Sequence, residues 1–138
     1  MKFSQESFYG IDVMTALAQR QPAQPVPIEE IARSRHLPQN FLAKILQKLV
    51  RGGLVVSSRG HQRGYALAIS SDQITVKEIL EVTEGADRFR RCLFWPRRCR
   101  EESPCHLHEI GMATRAELEE RLRMLTLADL AVKIGEKS

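Results

Sequence analysis

PQNFLAKILQKLVRGGLVVSSRGHQRGYALAI, residues 38–69, changes its hydrophobic period halfway through. Up to Leu49 the apolar residues Leu42, Ile45, Leu46 and Leu49 recur at three and four, the spacing of one face of an α-helix. Gly52-Gly53 stops that helix. LVVSS, 54–58, and YALAI, 65–69, are then short β-prone runs joined by RGHQRG, whose glycines suit a hairpin turn.

Outward from this stretch the pattern stays helical. Phe8, Ile11, Met14, Leu17 and Ala18 put an amphipathic helix over Ser4 to Arg20 with Ser4 as its cap. A Pro-rich break, 21–27, precedes a short second helix, IEEIARSRH. After the hairpin, Thr75 caps VKEILEVTEG. A cysteine-bearing loop runs from 86 to 107. HEIGMATRAELEERLRMLT then aligns Ile110, Ala113, Leu118, Leu122 and Leu125 on a long helix, and TLADLAVK is a small terminal one. The fold class is mainly α with a small β-hairpin. A helix, two helices joined by a tight turn, and then a hairpin are the order of a winged helix-turn-helix. The division is 1–85 for that domain, 86–107 for the loop, and 108–138 for the long and terminal helices.

The 138 residues, 43% hydrophobic, suffice for one domain with an extension. No stretch approaches the ~18 to 20 apolar residues of a membrane span, and no secretory signal opens the chain, which predicts a cytoplasmic protein without a membrane partner. The net charge of +4 suits an anionic partner. No phosphate loop, Ser-His-acid pattern or paired carboxylates beside a Gly-rich turn is present, so the chain reads as no enzyme, with no small-molecule substrate.

Two groups of residues carry chemistry. The third helix leaves Gln39, Asn40, Lys44, Gln47, Lys48 and Arg51 outside its apolar stripe. Amides near its start suit base edges and the lysines suit phosphates. In the hairpin turn, Arg59, His61, Gln62 and Arg63 suit a narrow, electronegative minor groove. Double-stranded DNA is the expected partner. The second group is CLFWPRRCREESPCHLH, 92–108, which holds all three cysteines of the chain, Cys92, Cys99 and Cys105, followed by His106 and His108. Three thiolates and an imidazole are donors for an iron–sulfur cluster or zinc and poor ones for magnesium or calcium. Arg88, Arg90, Arg91, Arg97, Arg98 and Arg100 surround them, lowering thiol pKa or offering a phosphate patch. Three readings stand: a cluster, a zinc staple in a nucleic-acid-binding module, and a metal-free thiol redox sensor.

Taken together, MKFSQESFYGIDVMTALA, FLAKILQKLVRGGLVVSSRG, Gly64-Tyr65 and the three cysteines ahead of a long helix resemble the Rrf-type family of bacterial transcription regulators, with its IscR-like and NsrR-like members. The resemblance covers nearly the whole chain. It implies a homodimeric repressor or activator, paired through the long helix, whose 2Fe-2S or 4Fe-4S cluster reports iron–sulfur supply, redox state or nitric oxide. It implies Cys92, Cys99 and Cys105 as ligands, and His108 rather than His106 as the fourth, in the IscR-like position. NsrR-like members use an aspartate of the first helix where this chain has Phe8, which leaves Asp12 or Glu6 of a partner subunit as substitutes. The chain departs from the family in a six-residue first cysteine gap, in Arg63 where glycine is common, and in Ala43 where IscR-like members are acidic.

Overall fold

The computed structural model describes residues 3–20 and 24–137, with side chains as far as Val132. Helix α1, Gln5–Ala18, starts where the Ser4 side chain accepts the Ser7 N–H. It buries Ser7, Gly10, Val13, Met14 and Leu17. Phe8, expected on the apolar face, is 59% exposed, because the buried stripe runs through the small residues Ser7 and Gly10 beside it. Helix α2, Ile28–Arg35, ends at His36 in the left-handed conformation, φ 54°, where the Leu37 N–H returns to the Ala32 carbonyl. That turn leads to Pro38 and α3, Gln39–Arg51, whose Leu42, Ile45, Leu46 and Leu49 are fully buried.

Strands β1, Val55–Ser58, and β2, Gly64–Leu67, pair antiparallel with Val55 opposite Leu67 and Ser58 opposite Gly64. The second strand ends short of the expected 65–69, and Ile69 is exposed. A two-way bridge between Val26 and Tyr65, 2.8 and 2.9 Å, ties the hairpin to the segment before α2. Gly64 is required there. Its φ is +140°, and a Cβ would stand 2.5 Å from the Val26 carbonyl carbon.

Helix α4, Val76–Glu84, opens with a capping box between Thr75 and Glu78. A 3-10 turn, Ala86–Phe89, occupies the start of the cysteine loop. Helix α5 is His108–Met124 and α6 is Leu127–Lys137. The chain between them is stitched to the chain before α4 by Val76 N–H to Leu125 O, 2.9 Å, and Leu127 N–H to Ile74 O, 2.8 Å. Leu127 is fully buried in the main core with Val13, Met14, Leu42, Ile45 and Leu46. A smaller core of Val76, Leu80 and Phe89 receives Ile11, Leu122 and Leu125. The apolar line expected along the long helix therefore splits. Leu118 and Leu122 are partly buried, whereas Ile110 and Ala113 face solvent.

Candidate nucleic-acid interface and metal centre

Packing of the α3 stripe leaves Gln39, Asn40, Lys44, Gln47 and Arg51 exposed along one side. The hairpin tip carries Arg59, His61, Gln62 and Arg63, all exposed. Arg63 lies 3.8 Å from Glu29 of α2, a solvated pair that leaves its charge available. A cleft of about 480 Å³ between the tip and the start of α2 is lined by Arg59, Arg63, Ser57 and Ser58. Lys48 differs from its neighbours. It is half-buried, and its Nζ meets Glu6 Oε2 of α1 at 2.5 Å. Glu6 is thereby engaged with α3, away from the cysteine loop.

The loop brings the three thiols together, every pair of sulfurs lying within 4.8 Å. Cys92 and Cys105 Sγ are 3.7 Å apart, and Cys99 Sγ is 3.2 Å from His108 Nδ1. Two thiolates on one tetrahedral metal at ~2.3 Å stand ~3.8 Å apart, so the donors fit a thiophilic centre in type and spacing. Local backbone explains the gathering. Trp95 accepts from the Arg98 and Cys99 amides in a tight turn, Trp95 N–H points at Cys92 Sγ from 3.5 Å, and Cys105 N–H at Cys99 Sγ from 3.3 Å. His108 is the first residue of α5, and its N–H bonds to the Cys105 carbonyl at 3.1 Å. His106 is exposed, and of this chain's own His108, Asp12 and Glu6 none lies within the group of three thiols, which His108 meets through Cys99.

Burial pushes the Cys92 thiol up, but the Trp95 and Phe94 amides and the two other thiols outweigh it and hold it below the usual range. Cys105 is pushed up, by burial first and then by the Cys99 and Cys92 side chains, against the Leu107 amide. Cys92 thus ionises ahead of Cys105. A cleft of about 550 Å³ beside Cys92, Cys99 and His108 is lined by Arg90, Arg91, Arg100 and Arg115. Phe94 and Trp95 are 43% and 47% exposed; Phe94 lies over Gly111 of α5.

Two features of this region carry no motif. Arg115 of α5 reaches back to the loop backbone at Arg91, and a buried polar group of Ser7, Thr83 and Glu84 joins α1 to α4 just ahead of the loop. Among the described residues, no helix is long and apolar enough to cross a membrane.

A sequence model of the Rrf2 family, described as iron-dependent transcriptional regulators, matches residues 3–133. The chain belongs to the Rrf2 family. An HTH-type transcriptional regulator of Aquifex aeolicus is 32% identical, with 99% of this chain and 95% of the relative aligned. CymR of Bacillus subtilis is 31% identical over 95% of this chain and 90% of its own. The solved structure of CymR, the global cysteine regulator of B. subtilis, superposes with a TM-score of 0.79 at 30% identity, covering 96% of this chain and 98% of that one. IscR of T. potens gives 0.80 at 29% identity, covering 100% and 91%. The protein is a helix-turn-helix transcriptional regulator of the Rrf2 family and not an enzyme, and its mostly helical body with one antiparallel hairpin is the winged-helix fold of these regulators.

Proposed function

We propose that this Rrf2 regulator binds a double-stranded operator as a homodimer, with an affinity set by an iron–sulfur cluster, 2Fe-2S or 4Fe-4S, on Cys92, Cys99, Cys105 and His108. The observation that carries the reading is the convergence of three thiols within 4.8 Å, with His108 Nδ1 3.2 Å from Cys99. When bound, such a cluster supplies a centre sensitive to iron–sulfur supply, redox state or nitric oxide. The chain does the rest. Cys92 is held as a readier thiolate than Cys105, the loop arginines offset thiolate charge, and His108 would fasten the loop to the first residue of α5. Ordering that loop against α5 is a two-state element of the kind that couples a ligand to DNA affinity.

Several further assignments belong to the same reading. Gln39, Asn40 and Lys44 of α3 read the major groove, with Arg59, His61, Gln62 and Arg63 at the minor groove. Helix α5 pairs two copies: of its 17 residues only Gly111 is buried, while Ile110 and Met124 are 61% and 73% exposed. Residues 1–85 act as the DNA-binding part, 86–107 as the sensing loop, and 108–138 as the pairing part.

Anaerobic purification followed by visible absorption, iron and zinc analysis tests the cofactor. A coloured protein containing iron is expected, with colour lost and operator affinity changed by roughly 1–3 kcal/mol when the three cysteines are replaced by Ala. Equal affinity of loaded, stripped and triple-variant protein would overturn the reading. A zinc-stapled module is the second reading, favoured by the 3.7 Å Cys92–Cys105 separation. A colourless protein with stoichiometric zinc would establish it. A metal-free thiol redox-sensing repressor is favoured by the lowered Cys92 pKa and would show neither metal.

A further inference from the structure

The first turn of α1 is held from two sides. On one side is Glu84, the last residue of α4. Its Oε1 accepts the Ser4 backbone N–H and, at 2.7 Å, the Ser7 hydroxyl, while Ser7 Oγ also lies 2.7 Å from Thr83 Oγ1. Ser7 is fully buried and Thr83 nearly so, which makes this a low-dielectric contact. Glu84 also faces Arg88 at 3.9 Å, in the 3-10 turn that leads into the cysteine loop. On the other side is Glu6, whose carboxylate meets Lys48 of α3 at 2.5 Å, across 42 residues of chain. Ser4, Glu6 and Ser7 are therefore three neighbours on one helical turn. Two are bonded to the stem of the cysteine loop and the third to the helix that presents Gln39, Asn40 and Lys44.

The Glu6–Lys48 pair is about a third exposed and adds little to stability. Its effect is on binding. A lysine ammonium neutralised by a carboxylate displaces no counterion from DNA, so Lys48 belongs to the fold in this state and not to the phosphate contacts. We propose that Glu6 is a positioning residue for DNA binding, which withholds Lys48 from phosphate, and that the turn Ser4–Ser7 carries loop rearrangements from Glu84 to α3. The second half rests on the cluster reading above. A loop that shifts Arg88 and Glu84 moves the α1 turn, and with it the carboxylate that holds Lys48.

The first half is tested on full-length protein with a mixed-sequence duplex, by the dependence of affinity on salt. In E6Q the slope should steepen by roughly 0.9, one further phosphate contact, whereas K48Q should leave the wild-type slope unchanged and E6Q/K48Q should return to it. A wild-type slope in E6Q, or the same loss from K48Q whether or not Glu6 is present, would remove Glu6 from DNA binding. Circular dichroism confirms folding, and E6A, which likewise removes the carboxylate, stands in for E6Q if that variant unfolds. The second half is read on an operator fragment enriched from genomic DNA. The affinity change on stripping the metal should shrink several-fold in E84Q relative to wild type. A wild type that does not respond to stripping refutes the cluster reading and the relay together, and leaves the Glu6 test standing on its slope. A full response in E84Q refutes the relay alone.

Discussion

Arg115 of α5 donates a 2.8 Å hydrogen bond to the carbonyl of Arg91, the residue in front of the first thiol. Its side chain is 11% exposed and is held in place by Glu119 at 3.7 Å. The long helix thus grips the loop backbone directly, independently of any metal. Arg115→Met keeps the stem and removes the donor, at a cost of about 1 kcal/mol. Limited trypsin digestion should cut faster between Arg90 and Arg100 while helical content is unchanged. An unaltered cleavage rate would mean the loop is ordered without this contact.

Glu84 titrates in a way that gives α1 a pH dependence. Burial raises its pKa, but the Ser4 amide, the Ser7 hydroxyl and Arg88 outweigh it, so the folded value lies below the ordinary one. A depressed carboxylate stabilises the fold at pH above its unfolded pKa, and that contribution fades as pH falls through the folded pKa. The melting temperatures of wild type and Glu84→Gln should therefore differ most near neutrality and converge in acid. A gap that stays constant as the pH falls would assign the effect to hydrogen bonding alone.

Helix α5 separates two kinds of apolar residue, and substitutions should separate with them. Leu122 packs against its own chain's Val76, Leu80 and Phe89, so Leu122→Glu should destabilise the monomer by more than ~2 kcal/mol. Ile110 and Met124 touch no core, and Ile110→Glu with Met124→Glu should keep the melting temperature of the isolated chain while sedimentation shows dissociation. A dimer that survives both changes would move the pairing surface off α5.

At the hairpin, Arg59 and Arg63 are exposed, and Arg63 stands 3.8 Å from Glu29. Replacing both by Ala should weaken binding to all duplexes and flatten the salt slope by roughly 1 to 2. Gln39→Ala or Asn40→Ala should instead change sequence preference, by roughly 1–3 kcal/mol at one position, with the slope kept. Binding selections on randomised duplexes distinguish the two outcomes.

The helices and hairpin were legible because their signals are local. The 42-45-46-49 stripe of α3 needs only its own period, and the Thr75–Glu78 box only its own spacing. The thiol group was legible as composition, since all three cysteines fall in fourteen residues. What sequence could not place were the pairings between distant segments. Glu6 reads as a possible ligand or a solvated acid until α1 lies across α3 and Lys48 meets it. Phe8 fits a helical stripe, yet Ser7 and Gly10 are buried in its stead because α1 packs closely on α4, where Thr83 leaves no room for a Cβ at residue 10. The role of Leu127 was equally hidden: the terminal helix looks detachable, whereas the bond from Leu127 N–H to the Ile74 carbonyl, beside that from Val76 N–H to Leu125, seats Leu127 in the main core.

The base of the hairpin is fastened by the Val26–Tyr65 bridge and by Gly64, while Gly60 at its tip has open space on every side and φ +94°. The contacts that fasten the hairpin to the body therefore lie at residues 64 and 65, and its exposed charged side chains lie in the tip, 59–63. Of the five tip residues, Arg59, His61, Gln62 and Arg63 can be exchanged at almost no folding cost, whereas Gly60 is held by its positive φ, which a side chain would strain. On the proposed reading, rewriting this tip would retune how tightly such a protein holds every duplex and leave the choice of sequence to α3, as one changes a key's bow and keeps its teeth.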